Sequence, residues 1–131
     1  MKNIEMLWIA TRLIFFGSFV NEIVMDIRDY EGDKLNNIYT IPVRYGLLES
    51  WKIAYSLLMI NMCWNAYKLG KIFKNIYYPM ILSSILLQSV MKLYDIRRDN
   101  YSRKSIYLFL EKTNIILVLS LGFLCRIVYL H

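Results

Sequence analysis

Asp26, Asp29 and Asp33 form a D-x-x-D-x-x-x-D run, with Glu22 one turn before it. On a continuous helix, at about 100° per residue, these four carboxylates fall within roughly 60° of one another. Like charges at such spacings repel and raise one another's pKa values, so the stripe needs a cation. Hard oxygen ligands with no nearby Cys or His suit Mg²⁺, which keeps several waters and takes one or two carboxylates together with substrate phosphates. The pattern therefore describes half of a metal–diphosphate site. The bland alternative is a solvated acidic helix end. An EF-hand is excluded, because its loop needs Gly at the sixth position and, counted from Asp26, Glu31 is sixth and Gly32 seventh.

The elements that must carry the stripe are apolar. Of 131 residues, 57% are hydrophobic and 15% aromatic, a membrane composition rather than that of an ordinary soluble domain. The expected fold is all-α, an integral membrane bundle of about four transmembrane helices in a single domain. Its spans are read at 4–24, 51–69, 76–93 and 106–130, each near the ~20 residues that cross a bilayer. Carboxylates placed directly after such a span are expensive unless they function. The start, MKNIEMLW, lacks the layout of a cleavable signal, so the first helix is expected to be retained. Cys63 and Cys125 fall inside apolar runs and read as lipid-facing or packing residues.

Between the first two spans lies a polar segment that completes a functional loop over residues 26–46. Asn36-Asn37 signals a turn, Pro42 ends any preceding helix and Gly46 permits a close turn. Lys34 and Arg44 bracket it with the positive charge that a diphosphate leaving group needs. Arg12 lies more than two turns from Glu22 and must either snorkel or face a polar cavity. Asn61 and Asn65, one turn apart in the second span, read as interhelical hydrogen-bond glue. The link from Gly70 to Asn75 forces a helical hairpin, with Pro79 tolerated in the first turn of the third span. The stretch from Tyr94 to Lys104 mixes Asp95 and Asp99 with several cations. It reads as a self-paired solvated loop, with a contribution to phosphate binding as the alternative.

Four crossings put the acidic loop and the Tyr94–Lys104 loop on one face. That face collects more Lys and Arg than the one holding Lys2, Lys68, Lys71, Lys74 and Arg126, which makes the acidic loop cytoplasmic by the positive-inside rule. The net charge of +6 is thus a matter of topology, not of nucleic-acid binding.

DIRDYEGDK followed by YTIPVRYG resembles the second aspartate-rich motif of the UbiA-type membrane prenyltransferases. The close match covers about 26 residues, Asn21 to Gly46. The resemblance implies Mg²⁺-dependent transfer of a polyprenyl group from an allylic diphosphate to an acceptor. It makes Asp29 and Asp33 the main metal ligands, Asp26 a direct or water-mediated third, and Glu22 a supporting carboxylate. Lys34 and Arg44 then take up charge on the leaving diphosphate, and Tyr39 and Tyr45 line the mouth. Asn21 and Met25 stand where many relatives have a basic residue, which alters the surroundings of the ligands. The family also uses a first motif of the Asn-Asp-x-x-Asp type, and nothing here matches it. The chain is therefore expected to be the C-terminal half of such an enzyme, incomplete without an N-terminal-half polypeptide in the same membrane lipid. The competing reading is a non-catalytic or degenerate membrane protein acting as an interaction or assembly module. A transporter has little support, since the polar residues cluster at one face. Quinone ring, glycerol phosphate, haem and sugar all remain open as acceptors.

Overall fold

Left-handed residues mark where the helices stop. In the computed structural model, which describes residues 2–130, Asn37, Lys74, Asn100 and Tyr101 have φ between 52° and 59°, and Gly46 has φ 94°. Asn tolerates this region and Gly meets no steric cost there. Between these points run α1 (Lys2–Arg28), α2 (Tyr30–Leu35), α3 (Ile41–Tyr45), α4 (Leu47–Phe73), α5 (Tyr77–Arg98) and α6 (Arg103–Leu130). The four long helices close a ring in which α1 packs on α4, α4 on α5, α5 on α6 and α6 back on α1.

The all-α membrane bundle follows from which faces are apolar. On α1 the buried residues Met6, Ile9, Leu13, Val20, Ile23, Val24 and Ile27 recur at helical spacing. Large apolar residues also point outward, among them Phe15, Phe19, Ile115, Val118 and Leu119. Such broad exposed apolar surface marks a lipid or partner environment. Among the described residues two helices, α1 and α6, are long and apolar enough to cross a membrane; α4 and α5 run to 27 and 22 residues. At the α4–α5 hairpin the helices touch so closely that a Cβ on Gly70 would sit 3.3 Å from Pro79 Cγ. This close approach is what the glycine permits.

Two apolar clusters fill the bundle. One, at the end carrying α2 and α3, joins Val24 and Ile27 to Trp51, Leu93, Ile106 and Phe109, and the other joins Ile9 and Leu13 to Leu69, Leu82 and Leu124. A cavity of 90 Å³ touching Asn21, Asn61, Ser89 and Thr113 separates them. Trp51 ties the first cluster together by donating from Nε1 to the Leu93 carbonyl at 2.7 Å, with its ring stacked on Tyr55.

The proposed loop is more ordered than its polarity suggests. Pro42 lies in the first turn of α3, where its missing N–H has no partner to lose. Asn36 donates from Nδ2 to the Gly32 carbonyl, and the Ile38 amide to the Asp33 carbonyl, so the chain turns tightly out of α2.

Candidate functional site

The acidic run straddles a helix junction. α1 ends at Arg28, Asp29 stands between the helices and α2 begins at Tyr30, yet the hydrogen-bond register continues: the Asp29 amide donates to Met25 O at 3.0 Å and the Asp33 amide to Asp29 O at 2.9 Å. The stripe therefore survives the junction. Asp26 lies within electrostatic range of Asp33, Glu22 and Asp29.

Asp29 caps α2 only in position. Its carboxylate turns instead to Arg28, which donates from Nε at 3.0 Å and from Nη2 at 3.2 Å. That guanidinium holds the Asp29 carboxyl below the usual carboxylate range, and Arg103 adds to the effect. The Asp29 side chain is 50% exposed, so the pair is worth only about 0–1 kcal/mol.

Beside the second half of the stripe opens a cavity of 590 Å³, bounded by Asp29, Glu31, Asp33 and Asn36 on one side and by Asn100, Tyr101 and Arg103 on the other, while Asp26 and Lys34 do not border it. The loop between α5 and α6 thus shares this space with the acidic segment. Its own charges are partly self-paired, Arg98 bridging to Asp95 at 3.3 Å and to Asp99 at 3.4 Å, as the mixed-charge pattern suggests. Among the described residues Arg103 makes no ion pair within 4 Å, and it borders the cavity, where it acts on Asp29 from a distance. Burial pushes the Tyr101 phenol up, which keeps it protonated as a hydrogen-bond donor. Asn100, Tyr101 and Arg103 were not singled out by the motif; the signal for them lay in the topology, which puts both loops at one end of the bundle.

The other expected residues are dispersed. Glu22 is exposed on α1, and Asn21 accepts at Oδ1 from the Thr113 hydroxyl at 3.1 Å, bordering the inner cavity instead. Lys34 lies 5.7 Å from the centre of the Tyr30 ring. Arg44, Tyr39 and Tyr45 are exposed and do not border the 590 Å³ cavity. The hydroxyl of Thr40, within the same loop, is buried without a hydrogen-bond partner.

The donor set, all hard carboxylate oxygens, has the chemistry Mg²⁺ prefers. Among the described residues no three His, Cys, Asp or Glu side chains converge closely enough to hold an ion by themselves. One or two carboxylates completed by phosphate oxygens and water is nevertheless the arrangement Mg²⁺ usually accepts.

No family model and no solved structure matches the chain. Its similarity is to the digeranylgeranylglyceryl phosphate synthase of Saccharolobus solfataricus, 44% identical over 52 residues, which is 40% of this chain and 18% of that protein. The chain resembles part of a UbiA-type prenyltransferase. Proteins of the same name from Metallosphaera sedula and Sulfurisphaera tokodaii are 31% identical over 58 residues and 38% identical over 52. The matched stretch of this chain corresponds to only 18% to 20% of the length of these curated relatives.

Proposed function

We propose that this chain supplies the second aspartate-rich half of a Mg²⁺-dependent, multi-pass membrane prenyltransferase. The observation that carries the reading is Asp29 and Asp33 bordering a cavity shared with Arg103 and Tyr101 at one end of an apolar bundle, with Asp26 in electrostatic range of both. The end with the stripe faces the cytoplasm. Asp26, Asp29 and Asp33 are the residues that would hold the ion. When bound, Mg²⁺ supplies charge compensation to the diphosphate as the allylic C–O bond ionises. Lys34, Arg44 and Arg103 take up further negative charge on the leaving group, and the Tyr101 hydroxyl donates a hydrogen bond to it. The apolar bundle keeps water from the allylic cation.

The name of these relatives points to a glyceryl phosphate lipid as the acceptor class. The cavity between the two core clusters, at 90 Å³, is too small to shelter a polyprenyl tail, which supports a requirement for further helices from an N-terminal-half polypeptide carrying the first motif. The test is a prenyl-transfer assay on membranes containing this chain with and without that half, using geranylgeranyl diphosphate and a glyceryl phosphate acceptor. Transfer is expected only with both halves and Mg²⁺, and should vanish with EDTA. Turnover by this chain alone would overturn the incompleteness; retained turnover in EDTA would overturn the metal.

One observation favours a non-catalytic assembly module: Asp29 is already neutralised by Arg28. On that reading Asp29→Asn and Asp33→Asn would leave every membrane phenotype intact.

A further inference from the structure

Arg12 is a cation without a carboxylate. Ten residues along α1 from Lys2, it lies about 15 Å from that end of the bundle at ~1.5 Å rise per residue. Its Nε donates to Asn65 Oδ1 at 3.1 Å, and the fully buried Asn65 donates in turn to Asn61 Oδ1. The guanidinium lies 5.8 Å from the centre of the Trp64 ring. No other hydrogen bond and no ion pair from Arg12 forms among the described residues. Most of its donors, five in a guanidinium, are thus unused.

Nor does the chain offer an acid at that depth. α1 has none between Glu5 and Glu22, α4 and α5 none between Glu49 and Asp95, and α6 none after Glu111. A second copy inserted in the same orientation therefore cannot neutralise Arg12. Ionisable side chains within the hydrocarbon pair with one another, because an unpaired charge there is costly. Around Arg12 the bundle also exposes an aromatic furrow. Trp8, Phe15 and Phe19 share an arc of about 60° with Arg12 on α1, and Ile60, Trp64 and Tyr67 share a similar arc on α4. These side chains are 59%, 63%, 43%, 46%, 51% and 65% exposed in that order.

We propose that the α1–α4 furrow docks a membrane-spanning helix of a different polypeptide, one carrying an Asp or Glu at the depth of Arg12. The proposal rests on the membrane bundle described above and names the chemistry by which its missing partner is recognised. The aromatic side chains supply contact area, and the guanidinium–carboxylate pair fixes depth and register. Arg is suited to this role because its planar fork meets a carboxylate through two hydrogen bonds. Asn65, itself tied to Asn61, anchors the guanidinium beside the Trp64 ring.

The experiment uses the full chain in phosphatidylcholine vesicles, with a labelled leucine-rich host helix bearing one Glu at the depth of Arg12, or Gln in its place. Energy transfer reports association. The Glu helix should associate at least about tenfold more tightly than the Gln helix, a difference within reach of one desolvated charge pair. Arg12→Gln should abolish the preference, and Arg12→Glu should transfer it to a host helix bearing Lys. Equal association of the Glu and Gln helices with the unaltered chain would refute the proposal. So would loss of the preference on adding phosphatidylglycerol, since Arg12 would then be satisfied by a lipid phosphate. Protease protection measures insertion of each variant. A chain that does not insert refutes the membrane bundle and the proposal together, whereas an inserted chain without the Glu preference refutes the proposal alone.

Discussion

Replacing Thr40 with Val should stabilise the protein. Thr40 occupies the N-cap of α3 at φ −87° and ψ 171°, a position where its hydroxyl normally accepts a backbone N–H, yet it makes no capping bond. The Oγ1 atom is buried and has no partner. A buried polar atom left unpaired costs about 1–3 kcal/mol, and Val removes the hydroxyl while keeping the branched shape. The expected gain is about 1 kcal/mol, taken from the lower part of that range because the residue as a whole is only half-buried. For a chain of this size that raises the melting temperature by about 3 °C. Thermal unfolding followed by far-ultraviolet circular dichroism in detergent micelles measures it. Thr40→Ala serves as the control and should fall below Val, since it also deletes a methyl group. A Val variant less stable than the parent by about 1 kcal/mol would refute the reasoning, because it would show that the hydroxyl caps α3 after all. If Val stabilises but slows prenyl transfer, the unpaired hydroxyl is held for the substrate.

Asp29→Asn and Asp33→Asn should each lower transfer by the assembled enzyme at least about 100-fold without changing helicity, the scale expected when charge stabilisation of a transition state is lost; full activity would remove both from the site. Asp99 accepts a hydrogen bond from the Ser105 hydroxyl, which holds its carboxyl below the usual range. Its folded pKa is depressed, so the stability it contributes is present above the ordinary value of about 3.9 and fades as the pH falls through the lowered one. Ser105→Ala should move the Asp99 titration back up toward that ordinary value, and a carboxyl carbon NMR titration that does not move would show the bond to be absent. Phe109→Ala removes a fully buried ring from the core cluster beneath the acidic end and should cost about 3–5 kcal/mol by denaturant titration. Asn65→Ala leaves Arg12 and Asn61 without their shared partner and should cost about 1–2 kcal/mol in the same titration, with no loss meaning that the link carries no energy.

Much of the local structure was legible along the chain. The turn at Asn36-Asn37 and Gly46 in a conformation that glycine favours appear where residue type demands them, whereas Pro42, expected to end a helix, lies instead in the first turn of α3. Asn65 acts as the interhelical hydrogen-bond group that its place in an apolar run implied. The break at Asp29 was not legible: the i→i−4 bonds run on through it, but its backbone leaves the helical range at φ −94° and ψ 11°, and its carboxylate finds Arg28 rather than an amide of α2. Arg12 could be read only as snorkelling or facing something polar, because its partner lies 53 positions away on another helix.

The sequence by itself determined the all-α class, the clustering of carboxylates and the positions of the turns. These depend on apolar periodicity, spacing and residue conformational preference, all local properties. Only the tertiary structure decided which side chains share the acidic cavity. It brought in Asn100, Tyr101 and Arg103 from across the bundle while leaving Asp26, Glu22, Lys34, Arg44, Tyr39 and Tyr45 off its lining. The physical reason is that the cavity belongs to one end of a closed ring of helices, where segments distant in the chain meet because α4 and α5 carry the chain away from that end and back.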